Sequence, residues 1–122
     1  VRSSAASDVY KRQQYEKANE YLERAVLLSS DPMLYYVMAK NEQCLGEYRQ
    51  AEKHLLHAID ILPERIYPYY LLMNLYTEPS YFQPAKLKMA IDSVLTKKPK
   101  VESSAIKEMK EKARSMLNNT SI

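Results

Sequence analysis

At 122 residues, 46% of them hydrophobic, the chain has the size of one domain that buries about two-thirds of its unfolded surface. A single glycine cannot build a phosphate-cradling loop, and a single cysteine, Cys44, cannot form an internal disulfide. No apolar run approaches the roughly 20 residues of a membrane-spanning helix, since the richest stretch, residues 66–76, contains Pro68 and Asn74.

Residues 1–13 (VRSSAASDVYKRQ) show no apolar period and neither the apolar core nor the cleavage region of a secretory signal. They read as a non-native or disordered leader, similar to translated adaptor sequence, and are set aside from the fold. A first helix is expected over 14–29, carrying Tyr15, Ala18, Leu22, Ala25 and Val26. With no earlier helix to pack on, it is expected to leave one apolar side uncovered. A second spans 32–45, with Asp31 placed to cap it, Pro32 in its first turn and Ala39 small enough for close packing. Gly46 stands where this helix ends and the next begins, as a left-handed turn residue does.

The helix over 48–62 shows the clearest pattern: Ala51, Leu55, Ala58, Ile59 and Leu62 fall at i, i+4, i+7, i+8 and i+11, one stripe of an amphipathic helix. Its alanines suit a close helix crossing, and Pro63 follows the stripe. This stripe faces inward, which puts His54 and His57 on the solvated side. Further helices are expected over 67–78, 83–97 and 102–117, with Pro79 and Pro84 bracketing the turn between the first two. In the last one, Ile106, Met109, Ala113, Met116 and Leu117 form the apolar face. Nothing alternates with period two for long enough to make a strand.

Two of these stretches are versions of one another. Tyr15, Ala18, Leu22 and Ala25 map onto Tyr48, Ala51, Leu55 and Ala58 at an offset of 33 residues. A step of 34 carries Tyr48 to Phe82, Ala51 to Ala85 and Leu55 to Met89. A self-repeat of roughly this length marks stacked helix–turn–helix units, each of which needs a neighbour to bury its apolar face.

The residues that recur resemble the tetratricopeptide (TPR) family. The second repeat, residues 32–65, carries Ala39, Gly46, Tyr48, Ala51, Leu55, Ala58 and Pro63 at the family spacing but has Glu42 where an apolar residue is usual. The third, residues 66–99, keeps Leu72, Tyr76, Phe82 and Ala85 but has Asp92 where a small residue belongs. The resemblance implies an all-α, TPR-type helix–turn–helix solenoid over 14–99, one repeat partial and two complete. Residues 100–122 then supply a C-terminal capping helix and tail. It also implies a concave groove holding an extended peptide, with Tyr36, Lys40, Tyr67, Tyr70 and Asn74 as groove residues. The Lys/Asn/Arg set by which chaperone-binding members clamp a peptide carboxylate is not reproduced.

A second resemblance lies at the end. Tyr67, Pro68, Tyr70, Leu71 and Leu72, then Lys98, Pro99, Lys100, Val101 and Ser103, resemble the soluble C-terminal TPR tail of bacterial O-antigen-ligase-like membrane proteins. It implies a parent in the bacterial inner membrane that joins or polymerises lipid-linked polysaccharide, with its catalytic residues elsewhere. A stand-alone TPR adaptor is the alternative, and either way the partner is a protein or peptide.

Other chemistry is thinly represented. His54, His57 and Asp60 are spaced for a metal on one helix face, but that face is the solvated one and no further cluster completes a site. Cys44 has no histidine partner implied by any pattern. No catalytic residue, metal or cofactor is expected. From Ala85 onward nine Lys/Arg stand against four Asp/Glu, yet the charges alternate along the last helix, which reads as a solvated capping face rather than a nucleic-acid surface.

Overall fold

The computed structural model describes residues 2–119. Among them are six α-helices and a short 3-10 turn, with no strand. The chain divides into two compact units, residues 1–61 and 62–122.

In the first unit, α2 (Pro32–Cys44) packs against both α1 (Arg2–Ala25) and α3 (Tyr48–Ile61). Asp31 Oδ1 accepts the Met33 N–H at 3.0 Å, and Pro32 opens the helix with φ already set. At the other end Gly46 takes φ +78°. The Glu47 N–H reaches back to the Glu42 carbonyl at 2.8 Å and the Gly46 N–H to Gln43 at 3.1 Å, the paired bonds of a Schellman motif. A β-carbon at Gly46 meets nothing within 4 Å, so only the backbone resists substitution. Gly46→Ala is therefore expected to cost about 1–2 kcal/mol in thermal or chemical unfolding, with Gly46→Asn costing less.

Helix α2 buries Tyr36, Met38, Ala39 and Glu42, and α3 buries Ala51, Glu52, Leu55 and Ala58. Ala51 and Ala58 are 1% and 0% exposed, which lets the two backbones approach closely. The stripe is narrower than its apolar pattern, because Ile59 is half-buried and Leu62 exposed.

The first helix departs from expectation in two ways. It begins at Arg2, not near residue 14. Residues 5–14 are exposed throughout, so no apolar period marks this stretch, and Ala, Lys, Arg and Gln carry the helix on local propensity. Its inward face is also rotated. The repeat register points to Ala18, Leu22 and Ala25; Leu22 and Ala25 are half-buried, as are Tyr15 and Val26, but Ala18 is exposed and Asn19 is the buried residue. This is the face turned to α2, which α1 meets from one side. Asn19 makes the join polar: its Nδ2 donates to the Met38 carbonyl at 3.3 Å, and its Oδ1 accepts from Asn41 Nδ2 at 2.9 Å.

In the second unit, α4 (Tyr67–Tyr76) packs on α5 (Pro84–Thr96), and α6 (Ser104–Asn119) packs on α5 and touches α4. Here the 34-residue step fails. Phe82 precedes the helix and is 50% exposed, Ala85 is exposed and Met89 is 70% exposed. The buried stripe of α5 is Leu87, Ala90, Ile91 and Val94. Leu87, Ile91 and Val94 stand 36 residues after Ala51, Leu55 and Ala58. The cause is the connection, which occupies 77–83 where its counterpart in the first unit occupies 45–47. Pro79 opens a 3-10 turn through Tyr81, the Gln83 N–H returns to the Tyr76 carbonyl at 3.3 Å, and the helix resumes only with Pro84 at its first position. Val94 thus takes the place of Ala58, and Asp92 points to solvent.

Ser103 caps α6, its Oγ accepting the Ile106 N–H at 3.2 Å. Ala113 is buried on the inner face, with Ile106, Met109, Met116 and Leu117 half-buried beside it. From the same helix Lys110 Nζ donates to the carbonyls of Val94 at 2.9 Å, Leu95 at 3.3 Å and Lys97 at 2.9 Å. Helix α5 ends without a left-handed residue, Lys97 being extended, so this ammonium satisfies its last carbonyls.

Candidate functional site

Tyr67, Tyr70 and Asn74 follow one another on α4 at i, i+3 and i+7, which places them along one face. The rest of the helix is core: Pro68 is buried in its first turn, and Leu71, Leu72, Met73, Leu75 and Tyr76 are buried along it. The fixed φ of Pro68 starts the helix, and the apolar residues hold it, so the three polar-tipped side chains sit on a rigid element.

The Tyr67 and Tyr70 rings are half-buried and lie 6.4 Å apart at 24°, an offset stack. Lys112 of α6 brings its Nζ to 5.5 Å from the centre of the Tyr70 ring. Asn74 is half-buried, and its Oδ1 is shielded from water with no hydrogen-bond partner among the described residues. Its backbone carbonyl is engaged by the Thr77 hydroxyl at 2.7 Å, which tightens the helix end. The face therefore offers two aromatic surfaces and one cation, while the Asn74 oxygen is cut off from solvent and is not part of the open surface. Lys112 was not legible as part of it, because nothing in the spacing of α6 says which ring its ammonium meets.

Two other expected groove residues belong to the first unit. Tyr36 is only 5% exposed, so its ring is part of the α2 core and not a surface for a ligand. This corrects the expectation for Tyr36: an apolar body in a close-packed neighbourhood buries more area inward than a groove leaves open. Lys40 is exposed on α2. Of the remaining tyrosines, Tyr76 is buried, with Lys86 Nζ 6.0 Å from its ring, and half-buried Tyr69 receives Lys97 at 5.0 Å.

Of the two histidines expected on the solvated side, His57 lies there and His54 does not. His54 is half-buried, not solvated, and its Nδ1 stands 2.7 Å from Oε1 of Glu42. Glu42, at the position where the TPR pattern has an apolar residue, is buried with His54 as its partner, which is what allows a carboxyl group there. His57 is exposed and meets the edge of the Tyr35 ring at 4.7 Å. With His54 committed to Glu42, the spacing to His57 and Asp60 makes no ligand set; among the described residues no group of three His, Cys, Asp or Glu is placed to hold a metal ion. Cys44 is exposed, and its hydrogen bond with Tyr15 holds the tyrosine hydroxyl above its ordinary titration range.

Among the described residues no helix is long and apolar enough to cross a membrane. No family model matches the sequence, and no curated protein matches it.

Proposed function

We propose that the chain is a non-catalytic, TPR-type protein-interaction module whose α4 face binds an extended segment of a partner protein. The observation that carries this reading is the pair Tyr67 and Tyr70, two stacked, half-exposed rings on one face of a rigid helix. An extended polypeptide supplies side chains to pack on the rings. The helical hairpins α2–α3 and α4–α5, with their related stripes, support the TPR part of the proposal.

The parent in this proposal is an O-antigen-ligase-like membrane protein, of which the chain is the C-terminal soluble region. Support comes from the resemblance at residues 67–72 and 98–103, whose Pro68 and Ser103 also start α4 and α6. Recovering the complete reading frame tests the parent: several membrane spans upstream are expected, whereas further 34-residue repeats without spans select the stand-alone adaptor.

The binding face has its own test. With Tyr67 and Tyr70 both changed to alanine in the full-length protein, crosslinking affinity purification is expected to lose the partner retained by the wild type. Anchor aromatics cost about 2 kcal/mol or more on truncation, roughly a thirtyfold loss of affinity. Both rings are half-exposed, so thermal stability should fall only modestly. A variant that unfolds, or that keeps its partner unchanged, makes these tyrosines structural.

A further inference from the structure

Helix α6 is held to its unit from both edges, and one of the two holds lands on the α4 face. Ala113 is its one buried residue among those described, and Ile106, Met109, Met116 and Leu117 are half-buried around it. Lys110 and Lys112 stand on opposite edges of this inner stripe, since two positions turn the helix by about 200°. From one edge Lys110 Nζ donates to the carbonyls of Val94, Leu95 and Lys97 at the end of α5. From the other, Lys112 Nζ lies over the Tyr70 ring, 5.5 Å from its centre. Glu108, one turn earlier, does not take this ammonium: among the described residues no carboxylate stands within 4 Å of Lys112. A helix with one buried residue and two polar holds belongs to the least stable part of its unit.

We infer that α6 is a clasp that competes with the partner for Tyr70. The inference rests on the α4 face being the binding surface. With α6 docked, Lys112 occupies a face of the Tyr70 ring; when α6 lifts, the ammonium leaves with it and that face opens. Lys110 sets how readily the helix lifts, and Lys112 transmits this to the ring. By reciprocity, a partner seated on Tyr70 loosens α6 by the same factor as α6 weakens the partner.

Hydroxyl-radical footprinting of the purified chain, read residue by residue by mass spectrometry, follows the ring without any partner. Lys112→Ala is expected to raise labelling of Tyr70 about two- to fivefold, the weight of an exposed cation–π contact. Tyr21, 72% exposed in the first unit, is the reference that should not change. Lys110→Met is expected to raise Tyr70 labelling too, together with faster hydrogen exchange over residues 104–119. In the full-length protein, Lys112→Ala is expected to recover more partner than the wild type in crosslinking purification. Lys112 is exposed, and unchanged circular dichroism verifies that the variant folds. Unchanged Tyr70 labelling in both variants overturns the clasp. So does a Lys112→Ala protein that recovers less partner, because the ammonium then belongs to the binding surface. A partner kept by the Tyr67→Ala/Tyr70→Ala protein overturns the binding face and not the Lys112 contact, which the footprint reads by itself.

Discussion

Replacing Ile91 by alanine is expected to lower stability by about 2–5 kcal/mol, while Met89→Ala, two residues earlier, stays within about 0.5 kcal/mol. The contrast follows from packing. Ile91 is 0% exposed between Leu87 and Val94 on the inner stripe of α5, so truncation leaves a cavity in a surround that cannot fully relax. Met89 is 70% exposed and gives up little on truncation. Urea unfolding of the two variants measures both values. Leu55→Ala, at 2% exposure in the corresponding place on α3, is expected to behave like Ile91→Ala. Comparable losses at Met89 and Ile91 would return the register to a 34-residue step and undo the account of the 77–83 connection.

The second large effect is expected at Lys110. Lys110→Met keeps most of the stem volume but removes the ammonium from three carbonyls at the end of α5. Hydrogen bonds from a charged donor contribute about 1.5–3 kcal/mol and cations near a helix C-terminus about 0.3–1 kcal/mol. Because the residue is only half-buried, a total near 2 kcal/mol is expected, not the sum over three bonds. Hydrogen exchange should locate the loss: amides of 104–119 exchange faster first, since α6 has Ala113 as its one fully buried residue among those described. Lys107→Met, on the exposed side of the same helix, is the control and should be nearly silent. If the two variants are equally mild, the ammonium does not hold α6 in place.

Where sequence reasoning located elements well, a local signal stood at the boundary. Asp31 and Pro32 mark the start of α2, Gly46 its end, and the expected helix over 48–62 is found at Tyr48–Ile61. The start of α1 carries no such signal: residues 5–14 have no apolar period while still winding as a helix. On the candidate site, Tyr67, Tyr70 and Asn74 come from the TPR resemblance, and their spacing says only that they share one face of α4. Tyr36 was not separable from them, since a tyrosine reads the same in sequence whether its ring is buried or open.

What the sequence determined by itself is the all-helical character of the chain, the turn at Gly46 and the apolar stripe of α3, because each depends on contacts or dihedrals within a few residues. What only the tertiary structure decided is the phase of neighbouring elements. The 36-residue step into α5 depends on how Pro79 and Pro84 close their connection, and the inward face of α1 on the side from which α2 meets it. The polar contacts divide the same way: Glu42 with His54, Asn19 with Asn41, Lys110 with the end of α5 and Lys112 with Tyr70 each join different helices. Their partners lie at least 12 residues away in the chain. No spacing rule spans that distance, since the meeting of two side chains then depends on the packing of whole helices and not on the period of one.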